Sequence, residues 1–430
     1  MTSVVGILNK RGVALAADSA VTRNRYKENG FESQKVTKCT KNGNKMVRLS
    51  NAVPVTVMFT GNAMFLGAPW DVIARRYRQK RGGIAHATVE DAVNDFFGFI
   101  SKNPVFWNQE TVDNFLNSVM NKAFYEIVEG MHDEKKRDEK GSLLHPEDFK
   151  KTFIRKCRTN KLRPTVMGEC PHFVSYSLDA FREQVSYIMD IFFIEKGFDN
   201  YPDDLLSEIR PYFEEDILSI ISARYEAGHF SELVFSGFGA EQEYPSLIPV
   251  CVHGGFDFRV NYHYSDEDVV NISDKRPVAI CPFAQTDVIK SILRGIHGDW
   301  SQRAVDMLRN MISADSDDIF GGFLTPAPKG FRDKLDEIEV EDLYKQFIEE
   351  GLQMCDSNQK EWEKSLKDYE LQDLAALADS LIDLTGFHRI LTFSQEGVGG
   401  PVDLAVISKS DGFTWIRRKN WYHKDNGLSI

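Results

Sequence analysis

Thr2 is the first residue of the chain that could do chemistry, because removal of Met1 would leave a free α-amine and a hydroxyl on one residue. A neutral hydroxyl is a weak nucleophile and needs a nearby base. A free α-amine, whose unperturbed pKa is roughly 8, is a suitable base near neutral pH. A Met-Thr start is also common in unrelated proteins, so these two residues indicate catalysis only in a matching context.

A carboxylate and an ammonium group lie further along at the ends of predicted strands. Asp18 ends the run AAD, sixteen residues after Thr2, and Lys45 follows Asn-Gly-Asn and opens the segment KMVRL. A lysine between a carboxylate and a reacting hydroxyl stays charged, and its field makes the hydroxyl easier to deprotonate. The alternative for either residue alone is a surface ion pair.

Two segments resemble one family of hydrolases. The opening TSVVGILNKRGVALAADSAVT resembles the start of proteasome β subunits and of the bacterial HslV peptidase, in which a processed terminal threonine precedes a strand, a turn and an Ala-Asp strand end. Near the C-terminus, GGPVDLAVISKSDGF resembles the family pattern GG-x-x-D-x-A-V-I-x-x-x-D-G. The resemblance implies an N-terminal-nucleophile hydrolase in which Thr2 is the nucleophile, tuned by Asp18 and Lys45.

A third segment, VPVTVMFTGNA, resembles the family strand whose Gly-x-x-Gly supplies a backbone N–H to the oxyanion hole. Gly61 corresponds to the second glycine and Met58 to the first, which makes the Met58 N–H the expected donor. An oxyanion donor is a main-chain group, so the methionine side chain narrows the site without removing the donor. The resemblance also implies that Thr22 and Gly61 bind substrate.

Three polar positions of the family carry other residues here. The Gly-Ser-Gly turn, whose serine assists the terminal amine, is replaced by PFAQT, so Gln285 or Thr286 would have to act instead. These residues could equally serve only to start a helix. The aspartate and serine before the double glycine correspond to Gln395 and Val398, and Glu396 is the candidate local partner of the amine.

Other pairs of reactive residues are weaker candidates. His253 and His263 lie on neighbouring predicted strands without acid or cysteine partners at ligand spacing, so we predict neither a metal nor a cofactor. Cys170 and His172 lie close in sequence, but a Cys-His nucleophile pair would lack a third residue.

Composition favours a globular cytoplasmic protein, with 42% hydrophobic and 27% charged residues. A net charge of -12 argues against general nucleic-acid binding, which needs a concentrated positive field. No run approaches the ~18 to 20 apolar residues of a membrane span, and no signal segment opens the chain. The six cysteines have no paired spacing, which suits a reducing compartment.

Residue periodicity predicts an α+β fold, with strands in the first sixty residues and from 232 to 281, and helices between them. Thr88 and Asp91 predict a helix-opening capping box, and Ser410-Asp411-Gly412 predicts a hairpin turn. The resemblance implies a four-layer αββα sandwich in a single domain. Its core segments are about 2–67, 232–297 and 371–418, with helical insertions at about 100–230 and 299–370.

The function predicted on these grounds is a threonine-type peptidase that cleaves peptide or protein amide bonds. The resemblance implies a homo-oligomeric ring, and the sequence does not identify an ATP-dependent unfoldase partner. Two alternatives stay open, namely a small-molecule amidase and a non-catalytic assembly or binding subunit. The missing serines and the insertions favour the last, whereas the presence of Thr2, Asp18 and Lys45 together favours an enzyme.

Overall fold

The computed structural model describes most of the chain. The described residues are 3–29, 32–40, 43–136, 146–160, 168–198, 203–224, 230–295, 303, 340–392 and 399–419. Thr2 and Glu396 lie outside the described residues, as do Gln395 and Val398, and the side chain of Thr22 is likewise outside the description. The predictions for these side chains therefore stay predictions.

The described elements are strands and helices in nearly the order that the sequence predicts. The strands are β1 (Ser3–Asn9), β2 (Gly12–Ala17), β3 (Val21–Asn29), β4 (Glu32–Thr40), β5 (Met46–Arg48), β6 (Val55–Gly61), β7 (Met64–Phe65), β8 (Ala68–Pro69), β9 (Ser231–Gly237), β10 (Ser246–Phe256), β11 (Arg259–Tyr264), β12 (Val270–Asn271), β13 (Val278–Ala284), β14 (Asp403–Ser408) and β15 (Gly412–Arg417). The helices are α1 (Trp70–Arg81), α2 (Val89–Ser101), α3 (Gln109–Lys136), α4 (Pro146–Asn160), α5 (Leu178–Glu195), α6 (Asp203–Ser222), α7 (Asp287–Arg294), α8 (Val340–Leu366) and α9 (Leu371–Leu391).

These elements form two compact units. The described residues within 1–43, 272–406 and 414–430 form the first unit, and those within 44–271 and 407–413 form the second. The prediction of an α+β protein is confirmed, since both units combine antiparallel strand pairs with helices. Among the described residues, no helix combines the length and the hydrophobicity of a membrane span.

The first unit contains a five-stranded sheet in the order β13-β1-β2-β14-β15. Alternate residues of β1 and β2, including Val5 and Ala16, share a core with Ile289 of α7 and with Leu374 and Ile382 of α9. The intervening residues of both strands are also buried. A strand buried on both faces needs an almost continuous apolar run, which explains the sequences SVVGILN and GVALAA.

The second unit contains a sheet in the order β11-β10-β9-β6-β5, with β12 paired to β10. Helices α1 and α2 pack on this sheet through a core that includes Trp70, Phe96 and Phe235. The predicted capping box is confirmed, because the Thr88 hydroxyl accepts from Asp91 N–H and the Asp91 carboxylate accepts from Thr88 N–H.

The region predicted as a helical insertion contains α3, α4, α5 and α6, which share a phenylalanine-rich core. Phe213 of α6 is fully buried and stacks on Phe192 of α5 with ring centroids 5.6 Å apart. Phe153 of α4 lies 5.8 Å from the same ring. This core joins the four helices to one another and also includes Phe256 at the end of β10.

Hairpin β3-β4 was not predicted, although the predicted turn between β14 and β15 is confirmed. Strands β3 and β4 read VTRNRYKEN and ESQKVTKCT, and their charged and small polar residues leave no alternation of apolar and polar residues by which a strand is predicted. Backbone pairing from Val21↔Thr40 to Asn29↔Glu32 makes the hairpin, and such pairing depends little on side-chain type.

We predict that Phe213→Ala destabilises the bundle by about 3 to 5 kcal/mol, because it removes a buried ring from four aromatic neighbours and leaves a cavity. The free energy of unfolding in urea measures the loss. The matched control is Tyr187→Ala on α5, whose side chain is 76% exposed and should change stability by about 0.5 kcal/mol or less. Equal unfolding midpoints for the two variants would contradict the packing described for Phe213.

Candidate active site

Asp18 is a buried carboxylate held by backbone N–H groups from separate parts of the chain. Its Oδ1 accepts from Ser3 N–H at 2.9 Å, and its Oδ2 accepts from Ala20 N–H at 3.2 Å and Gly399 N–H at 3.1 Å. A buried charge is tolerated only when it is compensated, and hydrogen bonds from N–H groups to an ionised carboxylate are among the stronger ones. The carboxylate is therefore fixed at the end of β2.

The start of β1 is tied to this carboxylate by strand register. The pair Val4↔Ala17 places Ser3 opposite Asp18, and Asp18 N–H also donates to Ser3 O at 3.1 Å. Ser3 N is the atom that forms the peptide bond to Thr2. The Asp18 carboxylate therefore binds the chain one peptide bond after the predicted nucleophile.

Gln285 lies on the other neighbour of β1. Ser3 pairs with Ala284, the last residue of β13, and Gln285 follows directly. The Gln285 Oε1 atom is buried without a hydrogen-bond donor among the described residues. An unpaired buried acceptor is costly, and this one follows the residue that pairs with Ser3. The helix-start alternative is partly right, because α7 begins after Thr286.

Lys45 lies in the second unit, immediately before β5. Only 5% of Lys45 is exposed, and Asp18 of the first unit is completely buried. The alternative of a surface ion pair is therefore wrong for either residue. The Lys45 carbonyl accepts from Phe59 N–H of β6 at 2.8 Å, which fixes the backbone from which this side chain extends.

The register of β6 argues against Met58 as the oxyanion donor. Met58 lies within β6, between Met46 of β5 and Val234 of β9. Successive N–H groups of a strand point to opposite sides. Since Phe59 N–H points to β5, the Met58 N–H points to β9, where the sheet ladder uses it.

Gly61 is the better donor on the same evidence. It ends β6, and its N–H points to the same side as that of Phe59, the side on which Lys45 lies. Its φ of 70° lies in the left-handed region that favours glycine, and a Cβ here would come within 2.4 Å of Phe230 O. Gly61 therefore allows β6 to end in a sharp turn. Its N–H points to the edge of β6 next to which Lys45 lies.

A second buried charge pair was missed by sequence reasoning. The Lys419 ammonium donates to Asp403 Oδ2 at 2.8 Å, to Ser19 Oγ at 2.8 Å and to the Gly43 carbonyl. Both members of the pair are almost fully buried, with 4% and 3% of their side chains exposed. Lys419 therefore holds Ser19, which follows Asp18, and Gly43, which lies two residues before Lys45, close to Asp403 of β14.

The sequence contains only part of the signal for this cluster. Asp403 is the aspartate of the GG-x-x-D pattern, so its importance is visible in the sequence. Lys419 follows β15, and only the β14-β15 hairpin brings its backbone N–H within 3.0 Å of Asp403 Oδ1. A lysine near the end of a chain gives no local sign of such burial.

The Cys170-His172 alternative is contradicted by the structure. The Cys170 thiol donates to Ala223 O at 3.2 Å, and burial raises its pKa to about 12, so the reactive thiolate does not form near neutral pH. His172 Nδ1 accepts from Val260 N–H at 3.3 Å. The two side chains therefore serve the packing of the second unit.

The two histidines of the predicted neighbouring strands do lie together. The rings of His253 on β10 and His263 on β11 stack with centroids 5.3 Å apart. Burial, together with the neighbouring His263 and Lys122, lowers the pKa of His253 to about 4. Within the described ranges, no group of three or more His, Cys, Asp or Glu side chains is arranged to hold a metal ion.

Comparison with known proteins adds no family assignment. A scan against protein-family models finds no match, and a search of curated proteins finds no significant match.

We predict that Lys419→Met lowers the free energy of unfolding by about 3 to 5 kcal/mol, because the Asp403 carboxylate would stay buried without its ammonium partner. Urea unfolding measures the change. Lys409→Met is the matched control on the same hairpin, since Lys409 pairs with Glu243 at the surface and its loss should cost about 1 kcal/mol or less. The double variant Lys419→Met/Asp403→Asn should recover part of the loss. Similar losses for the two lysine variants would contradict a buried pair.

Proposed function

We propose that this protein is a threonine-type N-terminal-nucleophile hydrolase of the proteasome type that cleaves amide bonds in peptides or proteins. The observation that carries the proposal is the hydrogen bond from Ser3 N–H to the buried carboxylate of Asp18. Ser3 N is the nitrogen that follows Thr2, so a chain beginning at Thr2 would have its first residue bonded directly to this fixed point.

In the proposed reaction the Thr2 hydroxyl oxygen attacks the carbonyl carbon of the substrate amide, and the Thr2 α-amine accepts the hydroxyl proton. The tetrahedral intermediate collapses as the C–N bond breaks. The leaving amine takes the proton, and the acyl group remains on Thr2 as an ester. The α-amine then activates a water molecule, which hydrolyses the ester and restores the hydroxyl.

Three further residues support this reaction in the proposal. The Lys45 ammonium lowers the cost of the developing alkoxide, and its burial supports that role because a positive charge acts more strongly away from water. The Gly61 N–H is the proposed oxyanion donor in place of Met58. The Gln285 Oε1 is the proposed acceptor for an N–H of the Thr2 amine, since it is buried and lacks a donor among the described residues.

The proposal extends to architecture and assembly. Helices cover a sheet within each unit, which supports a four-layer αββα sandwich as the arrangement of the whole. One repeated interface closes most simply into a symmetric homo-oligomer, and we propose a ring. We place the protein in the cytoplasm, because the six cysteines have no paired spacing and suit a reducing compartment.

The first test of this function combines intact-mass measurement with covalent labelling. We predict that protein purified from a bacterial cytosol lacks Met1 and reacts with a peptide epoxyketone, whose electrophilic carbons bond to a hydroxyl and an α-amine on one residue. Thr2→Ala should abolish this labelling. Ser3→Ala is the matched control, because the Ser3 hydroxyl is buried without a partner among the described residues and its removal should leave labelling intact.

Full retention of Met1, or undiminished labelling of Thr2→Ala, would contradict the proposed nucleophile. Labelling at Thr2 together with turnover of small acylated amides, but not of an unfolded protein, would favour the small-molecule amidase. A mature Thr2 that never reacts would favour the non-catalytic subunit.

The second test concerns Lys45. We predict that Lys45→Met reduces the rate of substrate cleavage or Thr2 labelling at least about a hundredfold, which corresponds to about 3 kcal/mol of lost electrostatic stabilisation. Methionine keeps most of the side-chain length and removes the ammonium. Melting temperature is measured beside the rate, and Lys45→Arg is the charge-retaining control. A Lys45→Met protein that melts normally and reacts within about threefold of wild type would make this lysine structural.

A further inference from the structure

A cavity of about 380 Å³ lies in the second unit, where β6, β9 and β10 reach the same end of their sheet. The segment after β6 and the start of α1 form one wall, and α3 of the helical insertion forms another. Thr111, Phe115 and Ser118 line this second wall at helical spacing. The volume falls within the roughly 300 to 1,000 Å³ typical of small-molecule sites.

Three aromatic rings give the cavity flat apolar surfaces. Phe65 and Trp70 pack with ring centroids 5.4 Å apart, and Phe115 of α3 also lines the cavity. Phe115 lies so close to Gly254 that a Cβ at this glycine would come within 2.5 Å of its ring. Such surfaces favour a planar ring as the occupant, because aromatic rings gain from stacked and edge contacts.

His253 enters the cavity from an irregular point in its strand. The pairing of β10 with β11 shifts between Val252 and Gly254, so His253 is the extra residue of a bulge. Bulges re-aim side chains and are common beside functional sites. Both ring nitrogens of His253 are buried without a hydrogen-bond partner among the described residues.

The pKa of His253, lowered to about 4, keeps its ring uncharged at neutral pH. A neutral imidazole offers one N–H donor and one acceptor nitrogen. His253 therefore brings one donor and one acceptor to the lining, and neither nitrogen has a partner among the described residues.

Trp70 supplies a second unpaired donor. The residue is 1% exposed and lines the cavity, and its Nε1–H has no acceptor among the described residues. Buried tryptophan N–H groups usually find an acceptor. An acceptor group on a bound molecule would satisfy this donor.

The lining is uncharged at neutral pH as far as the described residues show. A charged molecule would lose its hydration without gaining a counter-charge in the lining. The nearby Lys122, whose charge acts on His253, already pairs with Glu126 at 3.9 Å. The backbone around the cavity is also held in an uncommon conformation, because Leu66 has a φ of 43° and its carbonyl accepts from the Thr111 hydroxyl at 3.0 Å. Strained backbone of this kind is concentrated at functional sites.

We propose that this cavity binds an uncharged, planar aromatic molecule that carries a carboxamide group. The ring lies among Phe65, Trp70 and Phe115. The carboxamide oxygen accepts from Trp70 Nε1–H, and the carboxamide N–H donates to the unprotonated nitrogen of His253. This site is formed by the second unit alone and does not depend on the proposed hydrolase activity.

The test uses benzamide as the probe and the indole N–H resonances of the six tryptophans as the readout in proton-nitrogen correlation spectra. Trp70→Phe keeps an aromatic ring, removes the N–H, and identifies the Trp70 resonance by its disappearance. We expect benzamide to shift that resonance saturably in the wild-type protein. Benzoate, which has nearly the same shape and a negative charge, should bind at least about tenfold more weakly.

Two variants test the wall and the imidazole. Ser118→Phe adds a ring at an exposed position of α3 that lines the cavity, so it should block benzamide without disturbing the core. His253→Leu should weaken binding at least about tenfold by removing the donor and acceptor. Tyr264→Phe is the control, since its hydroxyl donates to Asn94 away from this lining, and it should bind benzamide as the wild type does.

The proposal is overturned if benzamide does not shift the Trp70 resonance up to its solubility limit, or if Ser118→Phe binds as well as the wild type. Equal affinity for benzoate would overturn the requirement for an uncharged ligand. Melting temperatures of all variants are measured beside the titrations, so that a loss of binding through unfolding is recognised.

Discussion

The buried carboxylate of Asp18 is the interaction on which the proposed site depends. It accepts hydrogen bonds from Ser3 N–H at the start of β1, from Ala20 N–H just after β2, and from Gly399 N–H before β14. A carboxylate away from water is tolerated only with such donors, and the N–H groups themselves would be costly if left unpaired. The hydrogen bonds therefore hold the three segments together, because both the carboxylate and the N–H groups would be unpaired without them. Ser3 and Gly399 are far apart in sequence.

The Lys419-Asp403 pair extends the same principle to the surrounding loops. Lys419 binds Ser19, the residue after Asp18, and the Gly43 carbonyl, while Asp403 also accepts from Lys419's own N–H. A buried ion pair often adds little net stability compared with apolar packing, but removing one partner is costly. The main effect of this ion pair is to fix positions, because it restricts the conformations of the segments that contain Ser19, beside Asp18, and Gly43, before Lys45.

The second unit shows a different use of buried polar groups. In the first unit the buried charges are matched by donors and acceptors from the chain. Around the cavity, by contrast, the polar atoms of His253 and Trp70 lack partners among the described residues. Unpaired buried atoms reduce stability, and these atoms belong to residues that line a cavity. A bound ligand that pairs with them would explain their presence. Helix α3 forms one wall of this cavity, so the proposed ligand would contact this helix directly.

The amino-acid sequence correctly predicts the α+β class, most strand and helix positions, the Thr88 capping box and the β14-β15 turn. These features depend on local periodicity and on residues that favour turns and caps. It also singled out Asp18 and Lys45, because a motif preserves their spacing along β1, β2 and the segment before β5. The roles of Thr2 and Glu396 stay predictions, since both lie outside the described residues.

The direction of each backbone N–H along β6 depends on strand pairing in the folded protein. The family resemblance points to the Met58 N–H, but N–H direction alternates along a strand and is set by the register with β5 and β9, which favours Gly61. Hairpin β3-β4 was invisible for a related reason, since backbone pairing rather than an apolar pattern defines it. The burial of Lys419 and the bulge at His253 likewise arise from contacts between strands, which no single stretch of sequence specifies.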